Sequence, residues 1–174
     1  MNFFPNNSIS DDYVDVYKLT SRTQFHLNTC GILIKSFGKT VPGKVNTREY
    51  DALMKCIEKW RMAFRRYDTD NSGTISLNEL CRILKDAKYR ISQQTVRDLL
   101  IFTKKQQTSE NSRYSIYNNT EELELGHLIY LTFYLEKLAD YFKKHDIRMN
   151  GVATYQFENY IQDVSNIIYF SNAL

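Results

Sequence analysis

The most constraining feature of this sequence is the twelve-residue stretch 68–79, which reads DTDNSGTISLNE. Gly73 stands at position 6, where a sharp turn with positive φ is cheap only for a residue without a Cβ. Such a loop can wrap a hard cation, because Ca²⁺ takes six to eight oxygen ligands from this spacing. Oxygen-bearing residues occupy positions 1, 3, 5, 7, 9 and 12, namely Asp68, Asp70, Ser72, Thr74, Ser76 and Glu79.

Each position predicts a particular ligand of an EF-hand calcium loop. Thr74 would offer its backbone carbonyl, Ser76 its hydroxyl directly or through a water, and Glu79 both carboxylate oxygens. Ser72 departs from the usual Asp or Asn at position 5, but it still supplies an oxygen. The alternatives are an acidic surface turn and a magnesium-preferring site. The bidentate Glu79 argues against magnesium, which demands a tight octahedron.

The segments on both sides of this loop have helical periodicity. Before it, apolar residues recur every three or four positions, at Tyr50, Leu53, Met54, Ile57, Trp60, Phe64 and Tyr67. After it, the pattern continues at Leu77, Leu80, Cys81 and Leu84. One apolar stripe on each side of the loop predicts a helix–loop–helix unit.

The rest of the chain predicts an all-α fold in a single domain, with long helices, short loops and small paired β segments. Only two prolines and six glycines interrupt its 174 residues. The polar, aperiodic segment 104–122 is interpreted as a mobile loop. Helices are predicted at about 25–37, 48–67, from Ser92 onward, 126–144, and from Phe157 to Ile168.

Three blocks of the sequence resemble the penta-EF-hand family: KWRMAFRRYDTDNSGTISLNEL, YRISQQTV and HDIRMNGVATYQFENYIQDV. The resemblance implies that helix 48–67 joins a second hand to a third, and that loop 68–79 belongs to the third. It divides the chain into a divergent first-hand remnant (1–24), a degenerate second hand (25–60), a competent third (50–88), a degenerate fourth with the insertion 104–122 (92–138), and a degenerate fifth (128–170).

The other loops lack the ligands for calcium. The loop that begins at Gly38 has glycine, threonine and proline at positions 1, 3 and 5. If Leu123 marks position 8 of the fourth loop, His127 stands at position 12, where a carboxylate is needed. The fifth loop has Arg148 at position 3 and Phe157 at position 12. One Ca²⁺ site per chain is therefore expected.

The resemblance also implies that the fifth hand pairs with another chain, either a copy in a homodimer or a different chain in a heterodimer. The alternative is that its apolar stripe packs into its own core. The apolar tail from Ser165 to Leu174 either extends the interface or folds back into a groove. The expected interface residues are Phe157, Tyr160, Ile161, Val164, Ile167 and Ile168.

The leading functional hypothesis is a calcium sensor and adaptor that binds target proteins or membranes. The alternatives are a regulatory subunit of a calpain-like protease and a structural module that calcium only stabilises. No P-loop, GxSxG or HExxH motif is present, so an enzyme is not expected. A net charge of +3 does not indicate nucleic-acid binding. The N-terminal residues do not resemble a signal peptide, so a cytoplasmic protein, with or without peripheral membrane association, is expected.

Overall fold

The computed structural model describes residues 13–107 and 121–171. Seven helices lie within these ranges, in the order α1 (Val16–Thr23), α2 (Leu27–Phe37), α3 (Thr47–Tyr67), α4 (Leu77–Asp86), α5 (Gln93–Gln106), α6 (Leu125–His145) and α7 (Phe157–Ser171). Four short strands lie between them, β1 (Val14–Asp15), β2 (Lys44–Val45), β3 (Ile75–Ser76) and β4 (Glu122–Leu123). The predicted all-α class is confirmed.

Side-chain caps decide where several helices begin. Asn46 caps α3 and Ser76 caps α4, and each forms a reciprocal capping box with the glutamate three residues later. Ser92 caps α5 by accepting a hydrogen bond from the Thr95 amide, as the sequence predicts. These caps satisfy backbone donors that a first helical turn leaves without partners.

The four strands form two small antiparallel pairs, and each pair joins two loops. Val14 lies opposite Val45 in the β1–β2 pair. Ile75 lies opposite Leu123 in the β3–β4 pair. Strand β1 therefore lies beside the loop that begins at Gly38, and β4 lies beside loop 68–79.

Two groups of buried side chains form the core. One contains Leu33, Val45 and Leu53 and packs the first and second hands together. The other contains Leu80 and Leu100 and packs the third and fourth hands together. Helices α3 and α6 line both groups, so they carry the core from one pair of hands to the next.

Some boundaries differ from the sequence prediction. Helix α2 begins at Leu27 rather than at residue 25, because the His26 side chain accepts a hydrogen bond from the Asn28 amide and caps it. The prediction of a loop throughout 104–122 is wrong at both ends, since α5 runs to Gln106 and β4 begins at Glu122. Its middle, 108–120, lies outside the described residues, as do residues 1–12 of the predicted first-hand remnant and 172–174 of the tail.

Within the described ranges, no helix is both long enough and apolar enough to span a bilayer.

Candidate metal centre

The loop between α3 and α4 has the backbone that a cation loop requires. Gly73 has φ of 81° and Asn71 has φ of 55°, so both adopt the left-handed conformation. The two carboxylate oxygens of Asp68 accept hydrogen bonds from the amides of Ser72 and Gly73, each at 3.0 Å. Asp68 therefore folds the turn around its own carboxylate.

Three carboxylates converge inside this turn. One oxygen each from Asp68, Asp70 and Glu79 lies within 4.8 Å of the other two. Carboxylates are hard donors, and Ca²⁺ takes oxygen ligands of this kind in a flexible shell. The donor set therefore fits Ca²⁺, with the Thr74 carbonyl and the Ser72 hydroxyl, 3.2 Å apart, at the same turn.

Glu79 is the most tightly held of the three carboxylates. Its Oε1 accepts hydrogen bonds from the amide and the hydroxyl of Thr69, both at 2.8 Å. Its Oε2 accepts from the amide and the hydroxyl of Ser76, at 3.0 and 2.9 Å. Burial raises the pKa of the Glu79 carboxyl, but these four hydrogen bonds outweigh it and lower the pKa to about 2. Glu79 is therefore a carboxylate at any physiological pH.

The Ser76 hydroxyl has a capping role that the sequence analysis did not include. Its hydroxyl caps α4, because it accepts from the Glu79 amide at 3.4 Å and donates to Glu79 Oε2. Both of its local hydrogen bonds thus go to the residue at position 12. Its role as a cation ligand stays a prediction, as do the roles of the other five predicted ligands.

The sequence analysis did not identify two residues that contact groups of this centre. Thr69, at position 2, supplies both hydrogen bonds to Glu79 Oε1. Glu122, on β4, accepts a hydrogen bond from the Thr74 hydroxyl at 3.1 Å. A polar residue at position 2 is a weak signal, and Glu122 could be found only from the β3–β4 register.

The second loop, 38–49, closes on itself. The Glu49 carboxylate accepts hydrogen bonds from the Lys39 and Thr40 amides, the Thr40 hydroxyl and the Asn46 amide. These bonds, that from the Asn46 amide foremost, lower the pKa of the Glu49 carboxyl to about 2. At position 1, a Cβ on Gly38 would collide with the carbonyl oxygen of Lys44. A carboxylate therefore has no room at the first ligand position.

The fourth loop uses an imidazole where the third uses a carboxylate. The register of Ile75 opposite Leu123 puts Leu123 at position 8, so His127 stands at position 12. His127 Nδ1 accepts a hydrogen bond from the Glu124 amide at 3.2 Å, which is the capping contact that Glu79 makes in the third loop. Burial lowers the pKa of His127, which favours the neutral ring that this contact needs.

The fifth loop keeps the turn without the ligands. Asp146 accepts hydrogen bonds from the amides of Asn150 and Gly151, at 3.0 and 2.9 Å, as Asp68 does in the third loop. Gly151 has φ of 82°. However, Arg148 at position 3 is exposed, and Phe157 at position 12 is 78% exposed and carries no oxygen on its side chain.

The predicted interface residues lie together on α7, and most of them face away from the core. Phe157, Tyr160, Ile161 and Ile168 are exposed to 78, 50, 46 and 53%. Val164 and Ile167 are half-buried. We call these six residues the α7 face. It is an apolar stripe that the described part of this chain leaves largely uncovered.

Comparison with known proteins agrees with this geometry. A family model described as EF-hand domain matches residues 59–92. Peflin from Danio rerio is 28% identical over 141 residues, which cover 81% of this chain and 48% of peflin. Sorcin from Homo sapiens is 26% identical over 143 residues, which cover 82% of this chain and 65% of sorcin. The chain thus spans about half the length of the peflins that it matches.

A solved structure supports the fold. It is titled as a structural analysis of a homolog of programmed cell death 6 protein from Leishmania major Friedlin. The TM-score is 0.71 at 21% identity, with 91% of this chain and 87% of that chain covered. At this identity the likeness concerns the arrangement of helices.

Proposed function

We propose that this chain, a calcium-binding EF-hand protein of the penta-EF-hand family, is a cytoplasmic calcium sensor and adaptor with one competent loop. Calcium at loop 68–79 would move α4 and thereby change a groove that binds a target peptide. The observation that carries this proposal is the position of Glu79. It is both a candidate ligand and the third residue of α4.

The hydrogen bonds of Glu79 connect the loop to that helix. Each of its carboxylate oxygens already accepts two hydrogen bonds, from Thr69 or from Ser76. Bound Ca²⁺ would offset two of the three negative charges of the converging carboxylates and favour contact with both oxygens of the position-12 glutamate. Glu79 would then exchange some of these hydrogen bonds, and the first turn of α4 would move with it.

Helix α4 forms one wall of an open groove of about 560 Å³ against α5. The buried residues Leu84 and Val96 line it, and so does Ile91, which is 39% exposed. Lys85 and Arg90 line the same groove and are exposed. Apolar residues beside cations suit a peptide with apolar anchors and acidic neighbours.

The groove proposal is tested by calcium titration with two readouts, heat and the fluorescence of an apolar dye. Wild type should bind one Ca²⁺ with a Kd of roughly 10⁻⁷ to 10⁻⁵ M and gain dye fluorescence. Ile91→Glu in the groove should keep the calcium heat and lose most of the gain. Calcium binding with no gain in wild type would favour the structural module, and no binding would refute the sensor.

We further propose that the α7 face binds a second copy of this chain. The β1–β2 and β3–β4 pairs each join two hands, whereas no described strand pairs with the fifth loop. A hand without a partner can pair with its own copy about a two-fold axis, and exposed apolar stripes of this kind commonly mark interfaces.

Sedimentation in the ultracentrifuge tests this second step. Wild type should have twice the chain mass of 20.6 kDa, and Ile161→Glu should be a monomer. Met62→Glu is the matched control, because Met62 is 57% exposed on α3 and lies outside the α7 face. A wild-type monomer would refute the homodimer and favour a different partner chain, as in a protease regulatory subunit.

A further inference from the structure

The fifth loop lacks the position-12 glutamate that connects the second and third loops to the helices that follow them. Its turn ends on Phe157, so no side-chain oxygen at position 12 ties the loop to α7. We propose that two groups of contacts, here called the two fastenings, hold α7 in place instead. The first is made by His145 of α6 within the fifth hand. The second is made by Lys35 of α2 and Tyr130 of α6 at the C-terminal end of α7. The α7 face is then held in place without calcium, and its use as a partner surface rests on the proposed function.

The first fastening lies between the two helices of the fifth hand. Nε2 of His145, the last residue of α6, is 3.0 Å from Oδ2 of Asp163 in the second turn of α7. The two side chains are only 19% and 17% exposed. A contact of this kind between partly buried groups is held more firmly than an exposed ion pair, which water screens.

The segment before α7 supports this contact. The Tyr155 ring lies on the His145 ring, with centroids 4.0 Å apart, and on the edge of the Tyr160 ring at 5.9 Å. The Thr154 amide donates to the His145 carbonyl at 3.2 Å, and the Tyr155 hydroxyl donates to the Tyr141 carbonyl at 3.4 Å. The segment that leads into α7 is thus hydrogen-bonded to α6, the helix against which α7 packs.

The second fastening binds two carbonyls in the last described turn of α7, those of Tyr169 and Ser171. The final four carbonyls of a helix have no partner within the helix. Here Lys35 Nζ donates to the Tyr169 carbonyl at 2.7 Å, and the Tyr130 hydroxyl donates to the Ser171 carbonyl at 3.3 Å. The Ser171 hydroxyl donates to the Ile168 carbonyl at 2.9 Å. A lysine suits this end, because a helix has its negative dipole there.

Buried and aromatic contacts reinforce this end. Tyr130 is fully buried, and burial raises its pKa to about 12, so its hydroxyl remains a donor at physiological pH. The Lys35 ammonium lies 4.3 Å from the centre of the Tyr169 ring, and that of Lys137 lies 5.2 Å from the centre of the Phe170 ring. Cations over aromatic faces are attracted to them. The last described residues of the tail, 169–171, therefore lie against α2 and α6.

This arrangement separates the two ends of the molecule. In the third hand, Glu79 belongs both to α4 and to the candidate cation site. In the fifth hand, contacts with other protein groups hold α7 at both fastenings. We therefore expect calcium to change α4 and to leave the α7 face as it is.

Amide hydrogen exchange, followed by mass spectrometry, tests the fastening directly. In wild type, exchange within 157–171 should agree within about twofold with and without calcium. His145→Phe keeps a ring on Tyr155 but loses the contact with Asp163, and Lys35→Met loses the donor to Tyr169. Each should speed this exchange about tenfold without changing exchange in α4.

Matched variants separate the fastening from general destabilisation. Tyr130→Phe should speed exchange about fivefold, whereas Tyr134→Phe, on a ring stacked 6.3 Å away, should not. Arg97→Gln removes an exposed ion pair with Glu121 and should leave 157–171 unchanged. Lys35→Arg, which keeps a cationic donor, should show the wild-type exchange rate in 157–171.

Two results would overturn the proposal. One is a more than tenfold slowing of exchange in 157–171 when calcium is added to wild type. The other is exchange in His145→Phe and Lys35→Met equal to that in the control variants. Sedimentation of the same samples tests the homodimer separately. A monomeric wild type would refute the proposed partner, but the exchange rates would still test the contacts that hold α7.

Discussion

The second and third loops share a frame but differ in what they can hold. In both, a glycine at position 6 has positive φ, 73° at Gly43 and 81° at Gly73. In both, position 8 lies in a strand pair, and the glutamate at position 12 caps the following helix. Both glutamates also have a pKa of about 2.

The difference lies at the start of the loop. Asp68 places a carboxylate inside the third loop, within 4.8 Å of carboxylate oxygens of Asp70 and Glu79. In the second loop, position 1 is Gly38, which carries no carboxylate and lies against the Lys44 carbonyl. The glycine, the strand and the cap are thus common to both loops, while the carboxylates at positions 1 and 3, which only the third loop has, are the ones predicted to make it a cation site.

The largest expected difference between the loops is in calcium affinity. Glu79→Gln keeps an oxygen for the α4 cap but loses the charge and one carboxylate oxygen. We expect the Kd for Ca²⁺ to rise about 100-fold or more, equivalent to about 2.7 kcal/mol. Glu49→Gln, the matched change in the second loop, should leave the Kd unchanged. Calorimetric titration of both variants measures this, and equal losses would break the comparison.

A carboxylate at position 1 should not rescue the second loop. Gly38→Asp forces a Cβ against the Lys44 carbonyl oxygen and to 2.9 Å from the Ile34 carbonyl oxygen. Overpacking against the backbone should lower the free energy of unfolding by about 2 kcal/mol. Urea unfolding measures the loss, and calorimetry should still find one Ca²⁺ per chain. A second bound Ca²⁺ would contradict the proposed lack of room.

The shared glycine turn offers a smaller and more selective test. Gly73→Ala and Gly43→Ala each put a Cβ on a residue with positive φ, at a cost of about 1 kcal/mol of unfolding free energy. Thermal unfolding without calcium should show similar losses in both. Calcium affinity should fall only in Gly73→Ala. An equal fall in Gly43→Ala would contradict the assignment of the calcium site to loop 68–79.

The acid sensitivity of the caps is the smallest expected effect. The carboxyl pKa of Glu49 is about 2 in the folded chain, below the ordinary value of 4.5. The carboxylate therefore adds stability above pH 4.5, and this contribution is lost as the pH falls from 4.5 towards 2. Urea midpoints across that window, without calcium, should fall less steeply in Glu49→Gln than in wild type. Parallel curves would contradict the role given to these hydrogen bonds.

Much of the frame was predictable because its signals are local. The family resemblance is confirmed by the relatives, and the helices on both sides of the third loop follow their apolar periodicity. The placement of His127 at position 12 is supported by the β3–β4 register. The predicted ligands and interface residues remain predictions, although three of the ligands converge and four of the interface residues are exposed.

Other features were not predictable from a linear pattern. Nothing in the spacing of Thr69 or Glu122 indicated that they bind groups of the third loop. The helix periodicity around His145 gave no sign of its contact with Asp163, 18 residues later. Each depends on how two elements pack, which is not encoded in the period of either one.

The sequence by itself determined where an oxygen-lined loop lies and which loops lack its ligands. Those properties depend on twelve consecutive residues and on the turn that one glycine permits. Only the tertiary structure decided that position 1 of the second loop is filled by the Lys44 carbonyl, and that α7 ends against α2 and α6. The physical reason is distance along the chain. Lys35 and Tyr169 are 134 residues apart, and only the packed helices bring the ammonium to the carbonyl.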